Sequence, residues 1–556
     1  MASQVEWENT GTFGPEQADL DVAYATSLPP EASLTWVEAR LAEIQSHLAN
    51  LGAGRNLLIP VYHLPRVVLV QILSWVALSY PSSKSEKDVY RYPIAQTKDL
   101  LHISQACKLF REPALERPEL WTRVNLKYPG LAKMFLERSG DKPVAVFLYP
   151  PHPAGYTLKY LTPLEASTVE MLRPHLSRIT HLDLMFTMHT RYGYIDGNPL
   201  TMHMPALETL QLRNSREEAD IKTSESDSPQ VPPPIFSTPN DPYLKLRKVT
   251  LVSINVLWDS SLFNGLTELD LSHQNYEHAP KVEEFLVVLE KCPGLEKLHL
   301  RNSGPKGISD SLPAPGITKS VQLSRLQDLS ITHDSDRYMD IPLLLSAISI
   351  PPSTKIHIQC NEVVEPVIRF SQLFHPEHPF LAQLPKYRIF KHLHSFTFFH
   401  FRLIDEPNGG CLSFRINRHD KSVQTAASVL DFFKTFGESA QYAEIISGTD
   451  CNPWSEVLET LPNVESMRLK REPDYANCTA ALSSKVCPNL KRLAFEHCSL
   501  TAEHQLEWLA ALKTRAGNGM KLEEFNLTFT TGGELLTPGV VDVFKLYTGR
   551  FLYQRV

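Results

Sequence analysis

One pattern recurs along this chain more often than any other: an apolar residue followed by two more at +3 and +5. It fits Ile179/Leu182/Leu184, Leu207/Leu210/Leu212, Leu246/Val249/Leu251, Leu266/Leu269/Leu271 and Leu295/Leu298/Leu300. It returns at Leu326/Leu329/Ile331, Leu393/Phe396/Phe398, Val464/Met467/Leu469, Leu490/Leu493/Phe495 and Leu522/Phe525/Leu527, with Ile356 and Ile358 marking a degenerate copy. Side chains alternate across a strand, so the +3 and +5 residues share one face. Helical stripes lie between the triplets: Val282, Phe285, Leu286 and Leu289 form one, and Leu506, Leu509 and Leu512 another. One strand and one helix cannot bury such a face alone, so the units must stack. Successive starts at 266, 295 and 326 lie 29 and 31 residues apart, the period of a repeat array. The prediction is an α/β fold with short parallel strands alternating with helices over residues 176–556.

Two triplets are introduced by "CPGLEKLHLRNS" from Cys292 and "CPNLKRLAFEHC" from Cys487. No Cys-x-x-Cys pair accompanies either, so both read as small, partly buried residues at the passage from helix to strand. The pair His375 and His378 in "HPEH" has no third ligand nearby and a proline between, so no metal or other cofactor is expected. Phosphate-loop, nucleophile-elbow and zinc-protease motifs are missing from the sequence, and no catalytic residue is assigned. A net charge of -7 argues against nucleic acid as the partner. No apolar run is long enough for a membrane span, and the polar N-terminus does not read as a signal peptide. These features point to the cytoplasm or nucleus.

The repeating unit resembles an irregular leucine-rich repeat. The asparagine usual after the strand appears at Asn214 and Asn302, while His273, Thr332 and His497 occupy comparable places. The resemblance implies a solenoid that binds a protein client on its strand face. Outward strand positions then nominate Asp270, Ser272, His299, Arg301, Arg468, Lys470, Arg492 and Glu496, against the alternative of a merely solvated face. Residues 214–242, rich in proline and charge, are predicted to form a disordered insertion, with Ser228 and Thr238 as possible phosphorylation points.

The N-terminal part reads differently. Residues 1–30 are polar and predicted to be disordered. Residues 31–56 place Leu34, Val37, Leu41, Ile44 and Leu48 on one helical stripe, suited to a short coiled coil or to packing on the next domain. Over 57–125, one helix follows Pro65 with Val68, Leu69, Ile72, Leu73 and Val76 on its apolar face. A second follows Thr97 with Leu100, Ile103, Cys107 and Phe110 aligned, is stopped by Pro113, and leads to Leu120-Trp121. Leu64-Pro65, Ile72-Leu73, Leu100-Leu101, Ser104 to Cys107, Phe110-Arg111 and Leu120-Trp121 together resemble an F-box. Followed by a connector at 126–175 and the repeats, the chain resembles large fungal F-box proteins with leucine-rich-repeat-like C-terminal domains. Val67 stands where glutamate is usual, Phe110 replaces tryptophan, and roughly 18 residues separate the two helices. The resemblance implies a substrate receptor of an SCF ubiquitin ligase, docking a Skp-type adaptor and, through it, the cullin–RING machinery. It assigns adaptor contact to Leu64, Pro65, Ile72, Leu73, Leu100, Cys107, Phe110, Leu120 and Trp121. Two alternatives stand beside it: these residues simply pack the helical domain, or the chain is a scaffold that binds a protein without ubiquitination.

Overall fold

The computed structural model describes residues 15–56, 58–78, 92–148, 170–186, 203–214, 243–254, 256–274, 279–306, 320–334, 340–361, 387–394, 398–405, 408–417, 424–447, 454–470, 475–498, 501–529 and 536–555. The chain divides into a unit of Met1–Arg123 with Glu137–Gly140 and a unit of Val124–Leu136 with Asp141–Val556. The predicted boundary at 125/126 falls two residues from the observed one.

The first unit is helical. Prolines open its first two helices, α1 (Pro15–Ser27) and α2 (Pro30–Asn56), as suits a residue without an N–H to donate. Helix α1 corrects the expectation of disorder for its part of residues 1–30; residues 1–14 lie outside the described ones. It is fastened to α2 by Tyr24, edge-on to Trp36 at 5.0 Å, and by Asp21, paired with Arg40 at 2.8 Å. Helix α2 spans the stretch predicted to be helical, and Leu34, Leu41 and Leu48 of its predicted stripe are exposed.

Helix α3 (Arg66–Leu78) begins directly after Pro65. Helix α4 (Tyr92–Ala106) starts five residues before Thr97, which therefore is not its cap. The next break also differs from expectation. Cys107 is fully extended, with φ -165° and ψ 171°, and separates α4 from α5 (Lys108–Leu115), which runs through Pro113. Leu69, Leu73, Leu100, Leu101, Ala114, Leu120 and Trp121 form the core of this unit.

The second unit is a mostly parallel sheet with helices. Its strands begin with β1 (Arg123–Asn125), β2 (Val144–Leu148), β3 (Ile179–Phe186), β4 (Thr209–Asn214), β5 (Lys248–Val252), β6 (Glu268–Ser272) and β7 (Lys297–Arg301). They continue with β8 (Val321–Gln322), β9 (Asp328–Asp334), β10 (Ile348–Ser349), β11 (Lys355–Asn361), β12 (Ile389–His394), β13 (Phe398–Asp405) and β14 (Gly410–Asn417). Last come β15 (Tyr442–Ser447), β16 (Ser466–Lys470), β17 (Arg492–Cys498), β18 (Leu522–Phe529) and β19 (Thr548–Arg555). Strand β1 joins β2, and β2 to β7 pair in sequence, followed by β9 and β11. The order then reverses through β14, β13 and β12 before β15 to β19 resume in sequence. Strands β8 and β10 form a separate parallel pair.

The helices of this unit are α6 (Pro129–Arg138), α7 (Val282–Glu290), α8 (Asp340–Ala347), α9 (Gln424–Phe436), α10 (Trp454–Glu459), α11 (Tyr475–Leu482), α12 (Ala502–Gly517) and α13 (Pro538–Tyr547), with α6 ending in residues that cluster with the first unit. They pack on the face carrying the +3 and +5 residues: Phe390 meets Phe433 at 4.6 Å, Phe495 meets Trp508 at 4.3 Å and Phe525 meets Phe544 at 5.8 Å. Every triplet predicted above is buried except one. Leu393 lies in β12 and Phe398 in the antiparallel β13, so that triplet spans a reversal; Phe396 lies outside the described residues. The inward residues there are Tyr387, Phe390 and His392, and the next strand uses Ala440, Ala443 and Ile445. Both sets keep the +3 and +5 spacing with residues that leucine counting overlooks.

Helix α12 is turned relative to its predicted stripe. Leu506 is exposed, while Gln505, Trp508, Ala511, Leu512 and Arg515 are buried. The connector contributes strand β2 to the sheet, so the sheet starts well before residue 176. Asn214 ends β4, and residues 215–242 lie outside the described ones. The turns after β5, β6 and β7 are regular despite their varied residues. Ser253, His273 and Asn302 all adopt left-handed backbone, with φ of 53°, 53° and 48°. Each N–H donates to the next unit: Ser253 to the Ser272 carbonyl, His273 to Arg301 and Asn302 to Thr332. Asparagine and histidine are both enriched in this region of φ, so either serves.

Candidate protein-binding surfaces

In the helical unit, the residues of the F-box-like pattern separate by depth. Leu73, Leu100, Leu120 and Trp121 are buried, Trp121 with 0% exposure. The Trp121 indole N–H donates to the Ala114 carbonyl at 2.8 Å, and the Arg138 guanidinium lies over its ring at 4.5 Å. These four therefore belong to the core of the unit. Leu64, Ile72, Cys107 and Phe110 are half-buried, and Pro65 is exposed. Among the described side chains of α3, the most exposed apolar ones are two the pattern did not select, Val67 at 77% and Trp75 at 62%. Leu58 and Ile59, just before the helix, and Leu115 on α5 are exposed as well. Large apolar groups in water signal a contact surface when they gather on one small unit.

In the sheet unit, the outward face carries three rows of side chains in register. The row next to the +3 residues on their N-terminal side includes Lys248, Glu268, Lys297, Asp328 and Lys355. The row between +3 and +5 runs Asp183, Gln211, Thr250, Asp270, His299, Ser330 and His357, then Ser413, Arg402, Lys391, Glu444 and Arg468. The third includes Arg213, Ser272, Arg301, Thr332, Arg415, His400, Lys470 and Glu496.

All the residues nominated for client binding lie on this face, but as two groups. Asp270, Ser272, His299 and Arg301 are on β6 and β7, and Arg468, Lys470, Arg492 and Glu496 on β16 and β17. Six strands intervene, so about 34 Å separates the groups at the usual interstrand spacing. Ion pairs knit each group. His299 stands 4.0 Å from Asp270 and 3.6 Å from Asp328. The neighbouring Asp328 carboxylate raises the pKa of His299, while burial raises that of Asp270. Glu268 bridges Lys248 and Lys297 at 2.9 and 3.0 Å. On the other side, Glu444 binds Lys391 at 2.9 Å and Lys470 at 2.8 Å. Glu496 binds Arg468 at 3.2 Å and Lys470 at 3.3 Å. Burial opposes ionisation of Glu444, yet the two lysines hold its carboxyl below the ordinary range. Arg301 and Arg492 are exposed.

The strands between the two groups carry residues that sequence reasoning missed: Lys355, His357, Lys391, His400, Arg402, Ser413, Arg415 and Glu444. Their signal was present as period-two alternation, but hidden by the reversed strand order and by Ala443 and His392 at core positions. Among the described residues, no group of three or more His, Cys, Asp or Glu is arranged to hold a metal ion. No described helix is long and apolar enough to cross a membrane. Comparison with protein-family models finds no match, and neither does comparison with curated proteins.

Proposed function

We propose that this chain is a non-enzymatic, protein-binding receptor. In this account the helical unit is F-box-like and docks a Skp-type adaptor of an SCF ubiquitin ligase. The strand–helix units form an irregular leucine-rich-repeat solenoid whose outward strand face receives a client protein. The observation that carries the reading is the pairing of two surfaces in one chain: exposed Val67 and Trp75 on a small helical unit, and in-register polar rows across a stacked sheet. Stacked strands create an extended surface that a protein partner can fill, and mixed charges on it confer specificity. Adaptor contact passes from Leu73, Leu100, Leu120 and Trp121 to the exposed and half-buried set: Leu64, Pro65, Val67, Ile72, Trp75, Cys107 and Phe110. Such a receptor works in the cytoplasm or nucleus.

The test is co-expression with a Skp-type adaptor followed by size-exclusion chromatography. Co-elution as a stable complex is expected. The burial of Leu120 and Trp121 favours a second reading, a scaffold in which the F-box-like pattern only builds the helical core. Elution of the chain without any adaptor paralogue would select that scaffold.

A further inference from the structure

Strands β11, β14, β13 and β12 present a face unlike the rest of the sheet. Lys355 and His357 come from β11, Arg415 from β14, His400 and Arg402 from β13, and Lys391 from β12. No Asp or Glu occupies an outward position on these four strands. The nearest acids flank the patch and are engaged: Asp328 with His299 on one side, Glu444 with Lys391 and Lys470 on the other. Lys391 thus shares the Glu444 carboxylate with Lys470. Lys355, His357, His400 and Arg402 form no ion pair among the described residues. Arg402 donates its Nε–H to the Cys411 thiol sulfur at 3.2 Å, which anchors its guanidinium, and His400 Nε2 shares a hydrogen bond with the Ser413 hydroxyl at 2.8 Å.

We infer that this patch docks an anionic segment of the client, a short stretch bearing carboxylates or phosphoryl groups. The inference rests on the receptor reading above and gives its client surface a chemistry. Arginine, lysine and imidazolium offer charge-assisted hydrogen bonds to such groups. The four strands span about 15 Å, room for a few anionic groups rather than a nucleic-acid backbone. The acids on either side and the chain's net charge of -7 also repel a long polyanion.

The two imidazoles add a pH response. Burial, then Arg415, Arg402 and His357, lower the pKa of His400. Burial likewise lowers that of His357, with Asp328 opposing and Arg402, His299 and Lys355 assisting. Both rings are therefore mostly neutral above the ordinary histidine range. A bound anion favours their protonated forms, so affinity rises as pH falls.

The experiment measures fluorescence anisotropy of labelled probes with the purified full chain. The probes are an oligo-glutamate peptide, a glycine–serine peptide carrying phosphoserine, its unphosphorylated form and a single-stranded RNA. The expected result is binding of one or both anionic peptides and none of the neutral one; the tighter of the two identifies carboxylate or phosphoryl as the source. Arg402→Gln and Lys355→Gln each weaken it by about tenfold, the scale of a lost charge-assisted bond. Both side chains are exposed, and unchanged melting verifies folding. Lys545→Gln, on helix α13 and not on the outward strand face, leaves binding unchanged. The wild-type chain binds more tightly at about pH 6 than at about pH 8. Failure of both anionic peptides to bind, indifference to Arg402→Gln, or tighter binding of RNA would overturn the inference. Adaptor co-elution is read separately, so peptide failure with the adaptor retained overturns this site and leaves the receptor reading standing.

Discussion

Cys292 and Cys487 show how one residue type can serve the same purpose twice. The Cys292 thiol donates to the Phe263 carbonyl at 2.8 Å, and the Cys487 thiol to the Leu458 carbonyl at 3.3 Å. In both cases the acceptor lies 29 residues upstream, so each thiol ties its unit to the one before. Burial pushes the thiols up to about 11 and about 12, far from a reactive thiolate. Iodoacetamide at mildly alkaline pH should therefore leave both unmodified in the native chain and label both after denaturation, as peptide mass spectrometry will show. Arg515 makes a related bond from the helix side. Its guanidinium is buried and donates to the carbonyls of Leu482, Val486 and Cys487. Arg515→Met strands those acceptors and should lower stability by roughly 2–4 kcal/mol in urea unfolding. The role of the cysteines as punctuation was legible in the sequence. The role of Arg515 was not, because it sits off the predicted leucine stripe and acts through carbonyls that only the fold brings near.

The element that most changes the face is the antiparallel insertion of β12, β13 and β14. Its core is aromatic: His392 stacks on Phe401 at 4.5 Å, and Phe401 on Phe432 at 3.8 Å. Gly410, at the start of β14, lies so close to the Pro352 carbonyl that a Cβ there would collide with it. Gly410→Ala should push β14 from β11 at a cost of about 2 kcal/mol, seen as a lower melting temperature and faster amide exchange in β14. Next to the insertion, Glu444 gives an acid-linked term. Its folded pKa lies below 4.5, so its stabilisation is complete above the unfolded value and fades as pH falls through the folded one. Wild type should thus lose more stability than Glu444→Gln on acidification below about pH 4.5. Parallel strands with leucine at both +3 and +5 were legible because burial on one face leaves a strict period. The insertion was not, since strand direction leaves no trace in period-two alternation. Tyr387, Phe390 and His392 hid the true triplet, and Leu393 with Phe398 imitated one.

For the molecule as a whole, the F-box-like pattern told which residues build the helical unit, but not which apolar side chains of that unit are exposed. The dipeptide Leu120-Trp121 is core, while Val67, read from sequence as a departure, is the most exposed apolar residue among the described side chains of α3. Substitutions in the two sets should therefore part company. Trp121→Ala removes a fully buried ring and should cost about 3–5 kcal/mol, unfolding the helical unit whatever its partner. The most direct measurement titrates a purified Skp-type adaptor into the chain by calorimetry, comparing wild type with Val67→Asp/Trp75→Asp and recording each melting curve. The account predicts saturable binding by wild type, a loss of at least about tenfold in the double variant, and superimposable melting. Wild type that releases no heat with any adaptor paralogue, or a double variant that binds as tightly as wild type, would contradict it.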